Sequence, residues 1–257
     1  MLQNPKQLLF EETFSKDPFF NIDTIEKEPA TTNSPRKFEP HSHDYYVIMV
    51  VEEGFGKHFI DFNTYEIVPK CLFFLSPNQV HQVVETTAHK GFVISFNEGF
   101  LLKSNISKQF FQNINIFKGF GDTPPLLPSE GIFESLKGFY GQMKTCFLQT
   151  SAFKHDALGS LLKLFLIECN SACELNQTPP ELTLDNAIIT ITRFKELVEK
   201  HFKTHHKASQ YAQMLHITTN YLNKLVKTYV HISTKEYIQN RLMLEAKRML
   251  LHPKISA

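Results

Sequence analysis

What the chain lacks limits it first. No apolar run approaches the ~18 residues that a membrane-spanning helix needs. The opening MLQNPKQLLFEETFSKD has no basic segment followed by an apolar one, so no secretory leader is expected. Cysteine is scarce: Cys71, Cys146, Cys169 and Cys173 follow no scaffold spacing and are expected to be reduced, buried thiols of a cytoplasmic protein. A net charge of one sign is nearly absent as well, +1 over 257 residues. That balance hides a division. Residues 183–257 carry twelve Lys and Arg against five Asp and Glu, a net of +7, which leaves −6 for residues 1–182. A basic module joined to an acidic one suits a polyanionic partner, and is equally compatible with a merely solvated surface. With 42% apolar and 21% charged residues the chain is globular, and its length allows two modest domains.

The densest β signal runs from Tyr45 to Phe96. Short stretches rich in Val, Ile, Phe and Tyr (YYVIMVVEE, GFGKHFIDF, TYEIVP, CLFFLS, VHQVVETT, GFVISF) are divided by Gly, Pro and Asn, which indicates an antiparallel barrel or sandwich. Residues 1–40 read as polar and Pro-bearing, with small apolar pieces such as Phe19-Phe20. Two helical patterns follow the turn-rich break at 119–128. In 129–149 the apolar stripe is Ile132, Phe133, Leu136, Phe139, Tyr140, Met143 and Phe147. In 151–173 it is broader, with Phe153, Leu158, Leu161, Leu162, Leu164, Phe165 and Ile167. A broad stripe is buried against the barrel, or pairs with a second subunit. Asn176 to Pro180 ends this region as a linker.

The C-terminal part reads as helices only. Asp185 caps a helix running to about His201, with Ile188, Ile191, Phe194, Val198 and Phe202 on its buried edge. From Lys207 two short helices cross a tight turn. Ala208, Tyr211, Ala212 and Leu215 recur at helical spacing. Thr218 caps the second helix, which buries Leu222, Leu225 and Val226 and displays Thr219, Asn220, Asn223, Lys224 and Lys227. Asn pairs with adenine and Lys with guanine or phosphate in a major groove. A solvated polar face is the competing reading. A last helix spans about Thr234 to Leu251.

The run YAQMLHITTNYLNKLVKTYVHISTKEYIQNRLMLEAKRMLL resembles the first helix-turn-helix of the AraC/XylS family of bacterial transcription regulators. The matching positions are Ala212, Leu215, Thr218, Tyr221, Leu222, Lys227, Ser233, Tyr237, Arg241, Ala246, Leu250 and Leu251. Val226 stands where the family has Phe, and His231 where it has a turn Gly. The resemblance implies base reading by Asn220, Asn223 and Lys224, with Thr218, Thr219, Lys227 and Tyr237 at or beside the DNA backbone. It makes Arg241 structural. It also implies a second helix-turn-helix, which would begin at Ile255-Ser256-Ala257, where the sequence stops. With one reading helix, phosphate contacts are expected to be roughly halved.

The segment PHSHDYYVIMVVEEGFGKHFID with LFFLSPNQVHQV resembles the cupin barrel that forms the effector domain of many such regulators. His41, His43 and His81 match the cupin imidazoles, while the acidic ligand position holds Val47 (or Ile48). Alternation along a strand lets His41, His43 and Val47 face one cavity. The polar candidates for effector binding are His41, His43, Tyr46, His58 and His81. Three imidazoles could hold Zn, Fe or Mn, but the missing carboxylate weakens a hard-metal site, so no cofactor is expected. His201, His205 and His206 are expected to be solvated.

The fold expected is α+β. It comprises a cupin-like antiparallel β-barrel over residues 1–125 for effector binding, a helical dimerisation and linker region over 126–182, and an all-α AraC-type DNA-binding domain over 183–257. The expected function is a ligand-responsive regulator, not an enzyme. Its partners would be promoter DNA, a small-molecule effector and a second copy through helices 129–173, with no membrane. Two alternatives stay open: a metal-dependent cupin enzyme, and a truncated effector-binding or dimerising module that does not bind DNA tightly alone.

Overall fold

A computed structural model of the chain describes residues 6–26, 36–61, 63–107, 110–111, 114, 116–117, 124–175, 185–230 and 232–251. The expected linker at 176–180, much of the break at 119–128, His231 and residues 255–257 lie outside the described residues. So do the side chains of Asp185, Ile188, Met249, Leu250 and Leu251. The chain divides into two compact units, residues 1–178 and 179–257.

The first unit holds two sheets. One has the order β1 (Lys6–Leu8), β4 (His41–His43), β9 (His81–Glu85), β6 (Gly56–Ile60), β7 (Asn63–Ile67), with β3 (Arg36–Lys37) also on β9. The other runs β2 (Phe20–Glu26), β10 (Lys90–Phe96), β5 (Tyr46–Glu53), β8 (Cys71–Leu75). These are cupin-like antiparallel strands, with one parallel pair at β1 and β4. The expected closed barrel is not what forms: among the described residues the two sheets face each other across a core and share no strand pair. β2 lies in the segment expected to be polar and Pro-bearing. Its Phe20 and Ile22 pair with Phe96 and Ile94 and are buried.

The second sheet is apolar on both faces because both are covered. Val47, Met49, Val51, Cys71, Phe73 and Leu75 face the first sheet, where Ile60, Ile67 and Val83 meet them. Ile48, Val50, Leu72, Phe92, Ile94 and Phe96 point the other way, toward α2 (Glu98–Lys103), α3 (Glu130–Leu148) and α4 (Lys154–Leu175). Those helices bury Phe133, Leu136, Met143 and Phe147 on α3 and Leu158, Leu162, Phe165, Leu166 and Cys169 on α4. Part of the broad α4 stripe is not covered: Leu164 and Ile167 stay 49% and 45% exposed. A further short helix, α1 (Phe10–Thr13), drives Phe10 into the inter-sheet core against Tyr45, with ring centroids 5.1 Å apart.

The second unit consists, among the described residues, of α5 (Asp185–His201), α6 (Ala208–Met214), α7 (Thr219–Val230) and α8 (Thr234–Leu251). Phe194, Val198, Phe202, Tyr211, Ala212, Leu222, Val226 and Ile238 form its centre. Arg241 ties α5 to α8: its Nε donates to both Glu199 oxygens at 3.1 Å, Nη1 donates to Glu245 at 3.2 Å, and the guanidinium lies 3.8 Å over the Phe202 ring.

Gly91 marks a tight point in the second sheet. It sits at a register shift between β10 and β5 with φ of 158°, and a β-carbon there would fall 2.0 Å from the Val50 carbonyl oxygen. Gly91→Ala must push β10 and β5 apart, a form of overpacking that costs about 2 kcal/mol. The urea midpoint should fall accordingly, and an unchanged midpoint would contradict this pairing of β10 with β5.

Candidate functional site

Strand alternation assembles the first candidate site. His41 and His43 are two apart on β4, so both rings leave the same face. His41 stands opposite His81 on β9, Ile60 is also opposite His81, and His58 is opposite Val83. Residues opposite each other in an antiparallel pair share a face, so all four imidazoles line the inner side of the first sheet, among the residues that meet the second sheet.

The rings form a chain. His43 Nε2 lies 2.8 Å from His81 Nε2, and His81 Nδ1 lies 2.9 Å from His58 Nε2. His41, half-buried at the rim, donates from Nδ1 to the Glu39 carbonyl at 2.8 Å, because a carbonyl only accepts; its Nε2 lone pair is therefore free. His58 packs edge-on to Phe73 with centroids 4.6 Å apart, and His43 lies 4.6 Å from the Tyr45 ring. Burial, and then the nearby His41, push His43 and His58 down to about 3. Burial also holds His81 well below the ordinary imidazole range, with His58, His41 and His43 adding to it. The Tyr45 phenol is pushed up to about 12 by the same burial.

Neutral imidazoles each carry one N–H, and proton counting then fixes the ends of the chain. Whichever way the two internal hydrogen bonds run, one end keeps an N–H with no acceptor and the other a lone pair with no donor. Those ends are His43 Nδ1 and His58 Nδ1, both buried without a hydrogen-bond partner. The groups facing the imidazoles from β5 and β8 are apolar, with Val47 where a carboxylate ligand would stand, while the buried Glu85 on the inner face of β9 lies 3.3 Å from His89. A metal of the borderline class fits the donors present: ligand nitrogens of His41, His43 and His81 all lie within 4.8 Å of one another. His201, His205 and His206 make no such group among the described residues.

The structure does not bring Tyr46 to the other candidates. It lies on the opposite face of β5, stacked on Phe96 at 5.3 Å and edge-on to Phe111 and Phe117. Tyr45 is the tyrosine beside the imidazoles. Its odd parity with His41 and His43 is the signal in the sequence that points there.

The second candidate site is the outer face of α7. Thr218 Oγ1 accepts from the Tyr221 N–H at 3.1 Å and caps the helix, which fixes its rotation. Leu222, Leu225 and Val226 turn inward, while Thr218, Asn220, Asn223, Lys224 and Lys227 are exposed and Thr219 is half-buried. Tyr237 does not join them. It is 8% exposed and packs on Phe194 with centroids 5.3 Å apart, and burial raises its phenol well above the usual range. Tyr221, 42% exposed, is the aromatic group on that face.

The imidazole chain has a consequence for acid stability. Unfolded imidazoles titrate near ~6.5 and the buried ones well below it, so the unfolded chain takes up protons first. The stability of the neutral chain is fully present above that pH and is lost as pH falls from there toward 3, at up to about 1.4 kcal/mol per pH unit for each ring. In chelator-treated protein the urea midpoint should drop between pH 7.5 and 5.5. A flat profile would mean that the three rings are not buried neutral.

Residues 31–162 match the family model of the AraC-like ligand binding domain. Similar solved structures include the AraC-like transcriptional activator CuxR, at 13% identity over 79% of this chain and 67% of that chain with a TM-score of 0.36. They also include ToxT from Vibrio cholerae, at 11% identity over 86% and 98% with a TM-score of 0.39. A Cupin 2 conserved barrel domain protein from Salinispora arenicola CNS-205 matches at 14% identity over 33% and 81% with a TM-score of 0.26. No curated protein sequence matches the chain. Because the matched residues make up just over half of its length, the chain belongs to the AraC-like ligand binding domain family.

Proposed function

We propose that this chain is a ligand-responsive transcription regulator that takes a small effector at the inter-sheet imidazoles and binds promoter DNA through a helix-turn-helix formed by α6 and α7. The observation that carries the DNA half is the face of α7. Asn220, Asn223, Lys224 and Lys227 project from it uncovered by the rest of their unit, on a helix whose other side is locked into a core by Leu222 and Val226. That face matches the chemistry of major-groove edges and phosphates, and it belongs to the +7 part of the chain. In this reading residues 1–125 sense the ligand, 126–182 link and dimerise, and 183–257 read DNA. The exposed Leu164 and Ile167 on α4 support pairing with a second copy.

The reading assigns no catalysis to the chain. An enzyme of the cupin kind with a hard redox metal would use a carboxylate where Val47 stands, and Val47 is packed among apolar groups.

Binding to a mapped promoter, followed by fluorescence anisotropy at several salt concentrations, tests it. Lys224→Ala should weaken binding by about 5- to 150-fold and relax base preference at one position, the range for losing ~1–3 kcal/mol. Lys227→Ala should weaken binding evenly across sequences and lower the salt slope by about one. Equal affinity of Lys224→Ala and the parent chain on that promoter would remove α7 from the groove.

A further inference from the structure

We infer that His216, the residue that turns the chain from α6 into α7, is a DNA contact: its exposed imidazole donates an N–H to a backbone phosphate at the rim of the groove that α7 enters. This rests on the regulator reading above and adds to it a residue outside the reading helix.

The backbone supplies the first observation. His216 closes α6: its N–H donates to the Gln213 carbonyl at 3.1 Å, and the next N–H, of Ile217, returns to the Ala212 carbonyl at 3.0 Å. That pattern ends a helix on one residue in the left-handed region, a place that favours glycine, and His216 takes it with φ of 54°. Five residues other than glycine hold a positive φ among the described residues. Three use their side chains inside their own unit: Asp61 accepts from Gln79 and from the Val80 N–H, Lys70 donates to Glu130, and Asn78 accepts from Gln7. The fourth, Asn105, is of the type whose short amide tolerates this region. His216 differs from all four. Its ring is exposed and makes no hydrogen bond, ion pair or ring contact among the described residues. A strained residue whose side chain serves nothing inside the fold points to a partner outside it.

Position identifies the partner. In a helix-turn-helix the first helix crosses the DNA backbone, and the N-terminal residues of the second meet base edges. The turn between them therefore stands where phosphates line the groove. His216 lies just before the Thr218 cap, and Gln213, His216, Thr218 and Asn220 are all exposed, from the end of α6 onto the face of α7. Phosphate oxygens only accept, and a neutral imidazole keeps one N–H in either tautomer, so the ring always has a donor to offer. Glycine would make this turn without strain but brings no donor. The side chain that the turn disfavours is thus the one that DNA can use.

The test uses the full chain, with fluorescence anisotropy on the mapped promoter and on an unrelated duplex at several salt concentrations. Binding of the parent chain to the promoter checks the regulator reading by itself, and its absence overturns that reading together with this one. Where the parent binds, His216→Gly should weaken binding by about 3- to 10-fold, the range for one hydrogen bond. The loss should be the same on both duplexes, because phosphates carry no sequence. His216→Lys keeps a donor and adds a fixed charge, so it should restore binding to at least the parent level and raise the salt slope by about one. The melting temperature of His216→Gly should equal or exceed that of the parent, since glycine takes the left-handed turn freely. Parent-like promoter affinity in His216→Gly overturns the inference and leaves α7 in the groove. A loss confined to the promoter overturns the phosphate assignment and makes His216 a reader of bases. Weaker binding that His216→Lys does not recover also overturns it, because the loss then comes from the turn and not from a donor.

Discussion

The first unit depends on one constraint: the sheet of β2, β10, β5 and β8 has to be buried on both sides. Its central strand, YVIMVVEE, is apolar at successive positions, so neither face can meet water without a cost of about 25 cal/mol per Å². One face is closed by α3 and α4, and the other by the first sheet. The second closure decides where chemistry can occur. Since β5 and β8 present Val47, Met49, Phe73 and Leu75, the opposing sheet supplies the imidazoles, and with them Glu85, which pairs with His89. The imidazoles face a hydrocarbon wall, which is why their charged forms are suppressed and their neutral lone pairs kept.

Helix α7 obeys the same logic at smaller scale. The Thr218 cap and the inward Leu222, Leu225 and Val226 set the rotation of the helix, and rotation alone determines that Asn220, Asn223, Lys224 and Lys227 point away. Nothing needs to hold those side chains outward, because packing excludes every other arrangement.

This explains what was legible in the sequence. Local rules carried far: period two placed His41, His43 and Val47 on one side of the chain, and period 3.6 with a cap placed the polar side of α7. The same rule sends Tyr46, an even-numbered residue between Tyr45 and Val47, out by the other face, away from the effector-binding position expected of it. Closure was not legible. Whether strands make a barrel or two facing sheets depends on hydrogen bonds between distant edges, and no local pattern encodes them. β2 was hidden because FNIDTIE mixes polar residues with the two buried ones. Tyr237 was a different case. The resemblance put it near DNA, but a phenol on the first turn of α8 beside Phe194 gains more from burial than from exposure.

The imidazole chain is expensive as packing. Each buried nitrogen without a partner costs about 1–3 kcal/mol, and a neutral chain of three rings leaves two such ends however its protons are arranged. Leucine or phenylalanine at positions 43, 58 and 81 would fill similar volume beside Phe73 and Val83 with no orphan atoms, and would free the unit from loss of stability in acid. A core selected for stability alone therefore has no use for these groups. A binding site does, because the groups left unsatisfied in the empty state give a ligand its differential affinity, and a ligand can shift a conformational equilibrium only by that difference. Strand β4 carries two of the rings and is held by β9 on one side and by the three-residue β1 on the other. It pairs with β1 at three positions, Lys6 with His41 through Leu8 with His43, and with β9 only at His41 and His81, so a ligand that draws His43 toward or away from His81 would move β4 and β1 together against β9.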